Sequence, residues 1–119
     1  LLGYKKNVYK YLYNSKAFIL SSLWEDPGFV LIEAAFCKTP LISSECLNGP
    51  IEFLKDKNNG FLFKSNSLKE LKDAILSFRS SDKQNIKTKK FNALKEVRKF
   101  TLFRHFNKLD NLLNQWVIR

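Results

Sequence analysis

Short apolar runs alternate with segments of helical periodicity along this chain, and that order constrains the fold more than any other feature. The runs at 17–21, 41–43 and 61–63 have the length of strands buried in a sheet. Helical patterns at 29–37 and 50–54 separate them. Strands that alternate with helices are typical of a parallel α/β sheet with flanking helices, whose ligands bind beyond the carboxyl ends of the strands.

Local signals place the remaining elements of the first two thirds. Residues 1–3 fit the end of a further strand, and Asn7 can cap a short helix over residues 8–14 by accepting hydrogen bonds from its first free amides. Ser67 and Glu70 form a capping box, which predicts that a helix starts at Ser67. Its predicted apolar stripe consists of Leu68, Leu71, Ile75 and Phe78.

Two helices are predicted at the C-terminal end, where no strand pattern follows Asp82. A basic helix is expected over residues 83–99, and a last helix is expected after Thr101. One face of that last helix is apolar and carries Leu102, Phe106, Leu109, Leu113, Trp116 and Val117.

Positive charge is concentrated in the same C-terminal third. The net charge is +10, and residues 79–119 hold 11 Lys and Arg against 3 acidic residues, a net of +8. Three interpretations stay open: a solvated lysine-rich helix, contact with an anionic membrane or a lipid-linked acceptor, and nucleic-acid binding. On a regular helix, a basic set would project to one side: Lys87, Lys95, Arg98 and Lys99.

Several classes of site have little support in the residues. Cys37 and Cys46 are expected to be reduced thiols, although one bridge between them is the alternative. The single histidine, His105, lies far from both cysteines, so we expect no metal site and a structural or surface role for it. No signal peptide or membrane-spanning run is visible, which favours a cytoplasmic protein in peripheral contact, at most, with the cytoplasmic face of the membrane.

The most informative stretch is the loop and helix over residues 21–33. A buried strand ends there and a helix begins near Phe29, so the free amides of the first helical turn would form an anion site at the carboxyl edge of the sheet. Gly28 lets a ligand approach the backbone. Glu25 and Glu33 bracket this feature. The alternative for Glu25 is a loop acid that merely favours the helix N-terminus. The alternative for Glu33 is a partly exposed glutamate on the helix edge.

These residues resemble the retaining glycosyltransferases of family 4, which have the GT-B fold. Glu25 and Glu33 match the E-x7-E signature of that family. The resemblance extends in register over residues 1–78 through further segments: N-x-Y-x-Y-L and A-F-I-L-S-S before the signature, L-I-E-A-A and T-P-L-I-S within and after it, and then G-P-x-E and N-G-F-L.

The resemblance implies a role for each matched residue. Glu25 would be the catalytic carboxylate, hydrogen-bonded to donor-sugar hydroxyls near the reacting carbon. Gly28, Phe29 and Val30 would give backbone amides to the sugar and the diphosphate, and Glu33 would accept both ribose hydroxyls. Pro27 departs from the usual E-G-F-G and has no amide hydrogen to give. The basic pair that holds the donor phosphates would lie upstream of Leu1.

The sequence thus predicts a partial, Rossmann-like C-terminal domain of a GT-B glycosyltransferase over residues 1–80, with basic helices over 81–119 packing on it. We expect transfer of a hexosyl or N-acetylhexosaminyl unit from a nucleotide-sugar, UDP-linked in the matching subgroup, to a lipid-linked or polysaccharide acceptor of surface glycan biosynthesis. No D-x-D pair is present, and no metal or other cofactor is expected.

Two alternatives to this function stay open in the sequence. One is a non-catalytic α/β module that binds nucleic acid or an acidic surface, and the other is a GT-B sugar epimerase. The chain lacks methionine and begins at Leu1, so we expect it to be a piece of a longer protein, completed by an N-terminal domain of the same chain. We therefore expect the 119 residues alone to be inactive.

Overall fold

The computed structural model describes residues 2–55 and 57–117. Within them the order is helix, strand, helix, strand, helix, strand and then three helices, as the periodicity predicts. The elements are α1 (Tyr9–Asn14), β1 (Phe18–Leu20), α2 (Phe29–Phe36), β2 (Leu41–Ser44), α3 (Pro50–Leu54), β3 (Phe61–Phe63), α4 (Leu68–Ser80), α5 (Lys83–Val97), one 3₁₀ turn (Arg98–Phe100) and α6 (Leu102–Val117).

The three described strands form one parallel sheet in the order β1-β2-β3. Phe18 pairs with Leu41, and Ile42 pairs with Phe61. The predicted α/β class with a parallel sheet is therefore confirmed. Because the strands are parallel, the loops that follow β1 and β2 leave the sheet at the same edge.

Two apolar clusters lie on opposite faces of the sheet. The larger one joins Leu41 of β2 to Leu31 of α2 and to residues of α1, α3 and α5. The smaller one joins Ile42, the next residue of β2, to Phe61 and to Ala74 of α4. Successive side chains of a strand point to opposite faces, so β2 contributes to both clusters and is buried along its whole length.

The first residues of the chain differ from the prediction. Leu2 and Gly3 do not form a strand, and Leu1 lies outside the described residues. Asn7 does not cap α1, because the helix begins at Tyr9 and Val8 occupies the cap position without a side-chain hydrogen bond. Asn7 is therefore one residue too far upstream.

Two side chains predicted to be buried are exposed. Ile19 in the middle of β1 is 44% exposed, because β1 has a strand neighbour on one side only within the described sheet. Leu68 is 83% exposed. It is the first residue of α4, where Ser67 accepts from the Glu70 amide, and the helix packs on the sheet through later residues of the predicted stripe.

The two C-terminal helices differ in how they pack. Helix α5 places Ala93 and Val97 in the larger cluster. Side chains from Leu102 to Trp116 on α6 are exposed, and α6 adjoins the 3₁₀ turn. A boundary near residue 80 stays a prediction. None of the described helices is both long enough and apolar enough to cross a membrane.

Candidate functional site

The loop that follows β1 is held by one of its own serines and by a serine at the end of β2. Ser44, buried at the end of β2, donates a hydrogen bond from its hydroxyl to the carbonyl oxygen of Ser22 at 2.5 Å. Ser22 in turn donates from Oγ to Oε1 of Glu25, also at 2.5 Å. The carboxylate of Glu25 is thus positioned through β2 as well as through its own loop, and it is half-buried.

Gly28 forms the corner between this loop and α2. It is buried, occupies the cap position of the helix and has φ +76° and ψ +48°, a left-handed conformation that glycine adopts without strain. A Cβ at this position would lie 3.6 Å from the Cβ, Cγ and Oε2 atoms of Glu25. Glu25 and Gly28, two of the predicted site residues, are therefore brought together at the N-terminus of α2.

The first two residues of α2 face different surroundings. Phe29 is 62% exposed, whereas Val30 is half-buried and packs against the larger cluster. The backbone carbonyl of Gly28 accepts from the amide of Leu31, and Gly28 has no side chain that could cap the turn. The amides of this first turn carry the positive end of the helix dipole, and an anion site there stays a prediction.

Glu33 lies one turn further along α2 and faces α1. It is half-buried, and the hydroxyl of Tyr9 points at its Oε1 at 3.5 Å, the outer limit of a hydrogen bond. Burial, and then the charge of Glu33, raise the pKa of the Cys37 thiol above its usual value. Tyr9 is therefore a neighbour of Glu33 that sequence spacing did not identify.

The loop after β2 packs directly on the loop after β1. A Cβ at Gly49 would lie 2.1 Å from the carbonyl oxygen of Pro27, so the two backbones touch. The peptide bond between Asp26 and Pro27 is cis. A cavity of about 350 Å³ adjoins this contact. It is lined by Asp26, Pro27, Gly28, Ile32, Asn48, Gly49, Glu52, Phe53, Glu96 and Phe100.

Both cysteines are free thiols, and Cys46 is buried. In the described ranges, no group of three His, Cys, Asp or Glu side chains is arranged to hold a metal ion. His105 lies on exposed α6. The candidate site thus consists of the two loops and the N-terminal half of α2.

Residues 1–95 match the family described as glycosyl transferases group 1. The chain belongs to this family. Membership confirms the resemblance drawn from the E-x7-E signature and its neighbouring segments. It also favours a glycosyltransferase over a non-catalytic module that binds nucleic acid.

Curated relatives in this family match parts of the chain. Poly(ribitol-phosphate) alpha-N-acetylglucosaminyltransferase of Staphylococcus aureus is 30% identical over 69% of this chain and 17% of its own length. UDP-Gal:alpha-D-GlcNAc-diphosphoundecaprenol alpha-1,3-galactosyltransferase of Escherichia coli is 28% identical over 99% of this chain and 30% of its own length. The chain thus spans less than a third of the length of either relative.

Solved structures show the same fold. TarM has a TM-score of 0.73 at 24% identity over 93% of this chain and 22% of its own. Sucrose-phosphate synthase of Thermosynechococcus elongatus has a TM-score of 0.72 at 22% identity over 91% of this chain and 27% of its own. The expected GT-B fold class is confirmed.

Sequence reasoning missed the residues that position the site. Ser22, Ser44 and Gly49 act through contacts between segments about 22 residues apart, which no local spacing reveals. A weak signal was present nonetheless, because a strand that ends in two serines, as β2 does, places hydroxyls at the sheet edge where ligands bind.

Proposed function

We propose that this chain forms the donor-binding part of a retaining glycosyltransferase that transfers a hexosyl or N-acetylhexosaminyl unit from a UDP-sugar to a phosphate-containing glycan or lipid-linked acceptor. The observation that carries the proposal is the corner at Gly28. A left-handed glycine starts α2 with uncapped amides, and the carboxylate of Glu25 is held against it by Ser22.

The two parts of this corner suit the two parts of a nucleotide-sugar. Amides of Phe29 and Val30, at the positive end of α2, favour the diphosphate. The adjoining cavity is lined by three acidic residues, Asp26, Glu52 and Glu96, whose carboxylates repel phosphate but accept hydrogen bonds from sugar hydroxyls. Glu25, between the two, is proposed to face the reacting carbon.

Glu33 is assigned to the nucleoside. Its half-buried carboxylate has two oxygens, and a bidentate contact with the two ribose hydroxyls would use both. Contact with the Tyr9 hydroxyl holds the side chain on the α1 side of the helix.

Catalysis in this proposal is electrostatic. Fixed amides at the start of α2 stabilise the charge that develops on the leaving diphosphate, and the Glu25 carboxylate stabilises the positive charge of the oxocarbenium-like sugar. No metal is required, because helix amides and basic side chains of the whole enzyme neutralise the diphosphate.

The relatives support the choice of donor and acceptor. The names of two curated relatives include an N-acetylglucosaminyl transfer to poly(ribitol-phosphate) and a galactosyl transfer from a UDP-sugar to a diphosphate-linked lipid. Both acceptors carry phosphate, which is why the proposed acceptor does too.

Kinetics of two variants in the intact protein test the assignment. Glu33→Ala is expected to raise the donor KM about tenfold or more with a smaller fall in kcat, because a ground-state contact is lost. Glu25→Ala is expected to lower kcat by at least about a hundredfold, since its contact strengthens in the transition state.

Asp73→Ala is the control, because Asp73 is an exposed carboxylate on α4, outside the two loops and α2. Unchanged kinetics in both site variants would refute the assignment. Inversion of the anomeric configuration in the product, read by NMR, would refute retention. Tighter UDP binding on addition of Mn²⁺, measured by calorimetry, would refute metal independence.

A further inference from the structure

A basic groove lies between the end of α3, the C-terminal part of α5 and the start of α6. Its volume is about 460 Å³. It is lined by Lys55, Asn59, Asn92, Lys95, Glu96, Arg98, Lys99 and Arg104. Five of these eight side chains are cations and one is an acid, so the groove has a strongly positive lining.

One half-buried carboxylate, that of Glu96, pairs with two lysines of the groove. Oε2 of Glu96 accepts from Nζ of Lys55 at 2.6 Å, and Oε1 of Glu96 accepts from Nζ of Lys99 at 2.7 Å. Burial alone would raise the pKa of Glu96, but the hydrogen bonds and positive charges of the two lysines together outweigh it and lower that pKa. Glu96 thus stays ionised and holds Lys55 of the α3 cap and Lys99 of the 3₁₀ turn at the groove.

Three other cations have no such partner. Among residues 2–55 and 57–117, Lys95, Arg98 and Arg104 form no ion pair. All three are exposed. Arginine presents planar pairs of N–H donors that match phosphate oxygens, so the groove keeps donors available for an anion after its internal pairs are formed.

The groove adjoins the candidate donor site. Glu96 lines both the basic groove and the 350 Å³ cavity beside Gly28, and Phe53 and Phe100, which close that cavity, lie ring to ring at 6.0 Å. In the other direction, Lys99 and Arg104 also line a second hollow along α6 that contains Lys108. The positive surface therefore leads from α6 toward the donor loop.

We propose that this groove binds a phosphate group of the acceptor and so aligns the acceptor hydroxyl with the donor sugar. The inference rests on the proposed function, because it assigns the groove to the second substrate of the same reaction. Arg98 and Arg104 are the principal phosphate contacts, and Lys95 adds positive charge. The phosphate belongs either to a polyol-phosphate chain or to a lipid diphosphate, which share this chemistry.

The lining distinguishes this ligand from single-stranded nucleic acid. Binding of single strands combines positive charge with aromatic side chains on which bases stack. Among the residues that the structure describes, the lining consists of lysine, arginine, asparagine and one glutamate, with no aromatic side chain. It therefore suits phosphate without bases.

The test compares two double variants of the intact protein. Arg98→Gln with Arg104→Gln removes the free arginines, while Lys69→Gln with Lys72→Gln removes two exposed charges from α4, away from the groove. With the donor site saturated by UDP, binding of inorganic pyrophosphate, oligo(ribitol phosphate) and a short-chain prenyl diphosphate is measured by calorimetry. Acceptor and donor KM are measured in the transfer assay.

The arginine variant is expected to weaken binding of pyrophosphate and of one of the two acceptor probes about a hundredfold, because each charge-assisted hydrogen bond contributes about tenfold. The acceptor KM rises by a similar factor with the donor KM unchanged, and the α4 variant stays within about twofold. The probe that loses affinity identifies the source of the phosphate.

Four results would overturn the proposal: unchanged binding in the arginine variant, an equal loss in the α4 variant, a loss confined to donor KM, or tighter binding of a single-stranded oligonucleotide than of either acceptor probe. Binding of these probes does not depend on turnover. A protein that binds them through the arginines but transfers no sugar would contradict the proposed function and leave the phosphate site standing.

Discussion

Gly49→Ala tests whether the two loops of the candidate site form one unit. Gly49 has φ +153° and ψ −68°, and a Cβ there would lie 2.1 Å from the carbonyl oxygen and 2.8 Å from the carbonyl carbon of Pro27. Ordinary carbon–oxygen contacts begin near about 3.3 Å, so one loop has to move by roughly 1 Å.

The cost follows from two sources. Overpacking a close contact costs about 1–3 kcal/mol, and holding a residue other than glycine at this backbone conformation costs a further 1–3 kcal/mol or so. We expect a loss of about 4 kcal/mol in the free energy of unfolding, which is a large part of the roughly 5–15 kcal/mol that a domain has. If the loops separate instead, Glu25 and Gly28 are displaced by about 1 Å and transfer falls about a hundredfold.

Gly3→Ala is the matched control, because Gly3 also has a positive φ, +62°, but no described atom beyond its two chain neighbours lies within 4 Å of its Cβ position. Only backbone strain of about 1 kcal/mol is expected there. Urea unfolding followed by circular dichroism gives both free energies, and donor KM and kcat give the activity. The packing argument is wrong if Gly49→Ala costs no more than Gly3→Ala and leaves transfer unchanged.

Two further predictions concern carboxylates outside the loop corner. Glu96→Gln should cost about 1–2 kcal/mol at neutral pH, since its lysine partners are half exposed. Because folding lowers the Glu96 pKa from its ordinary 4.5, this contribution to stability is present above pH 4.5 and is lost as the pH falls through the lowered pKa. If urea titrations in acid still show Glu96→Gln to be less stable than the parent protein, this pH dependence is wrong. Cys37 should react slowly with iodoacetamide because its pKa is raised, and Glu33→Gln should speed the reaction at pH 8; an unchanged rate would refute the contact between the two groups.

The sequence predicts most of the fold because its signals are local. Each signal depends on a few neighbouring residues: strand length, the glycine and proline positions, and the Ser67 cap. These signals place β2, α3 and β3 where the structure has them. The errors arise where the outcome depends on distant neighbours. Ile19 is apolar and extended, but whether it is covered depends on which strand lies beside β1.

The arrangement of basic residues on α5 also depends on distant neighbours that the sequence pattern does not show. Helical spacing places Lys87 with Lys95, Arg98 and Lys99 on one side. In the structure Lys87 instead lines a separate hollow of about 640 Å³ at the start of α5, and the other three share the groove beside α3. The helix gives way to a 3₁₀ turn at Arg98, and Lys55 of α3's C-terminal cap and Glu96 define the groove. Helical spacing alone predicts neither the 3₁₀ turn nor the contact with Lys55.

The sequence predicts which residues form the candidate site, but not what fixes their positions, and the reason is physical. Glu25, Gly28 and Glu33 stand in one segment and form a recognisable pattern, but their positions are fixed from elsewhere. Ser44 holds the Ser22 carbonyl, and Ser22 holds Glu25, so β2 determines where the proposed catalytic carboxylate lies. Because Ser44 is buried, its hydroxyl is a fixed donor to that carbonyl, and removal of the hydroxyl loses the bond. The position of Glu25 in the E-x7-E pattern therefore depends on β2, which lies outside that pattern. Substitutions in β2 should alter kcat although β2 side chains do not contact the substrate.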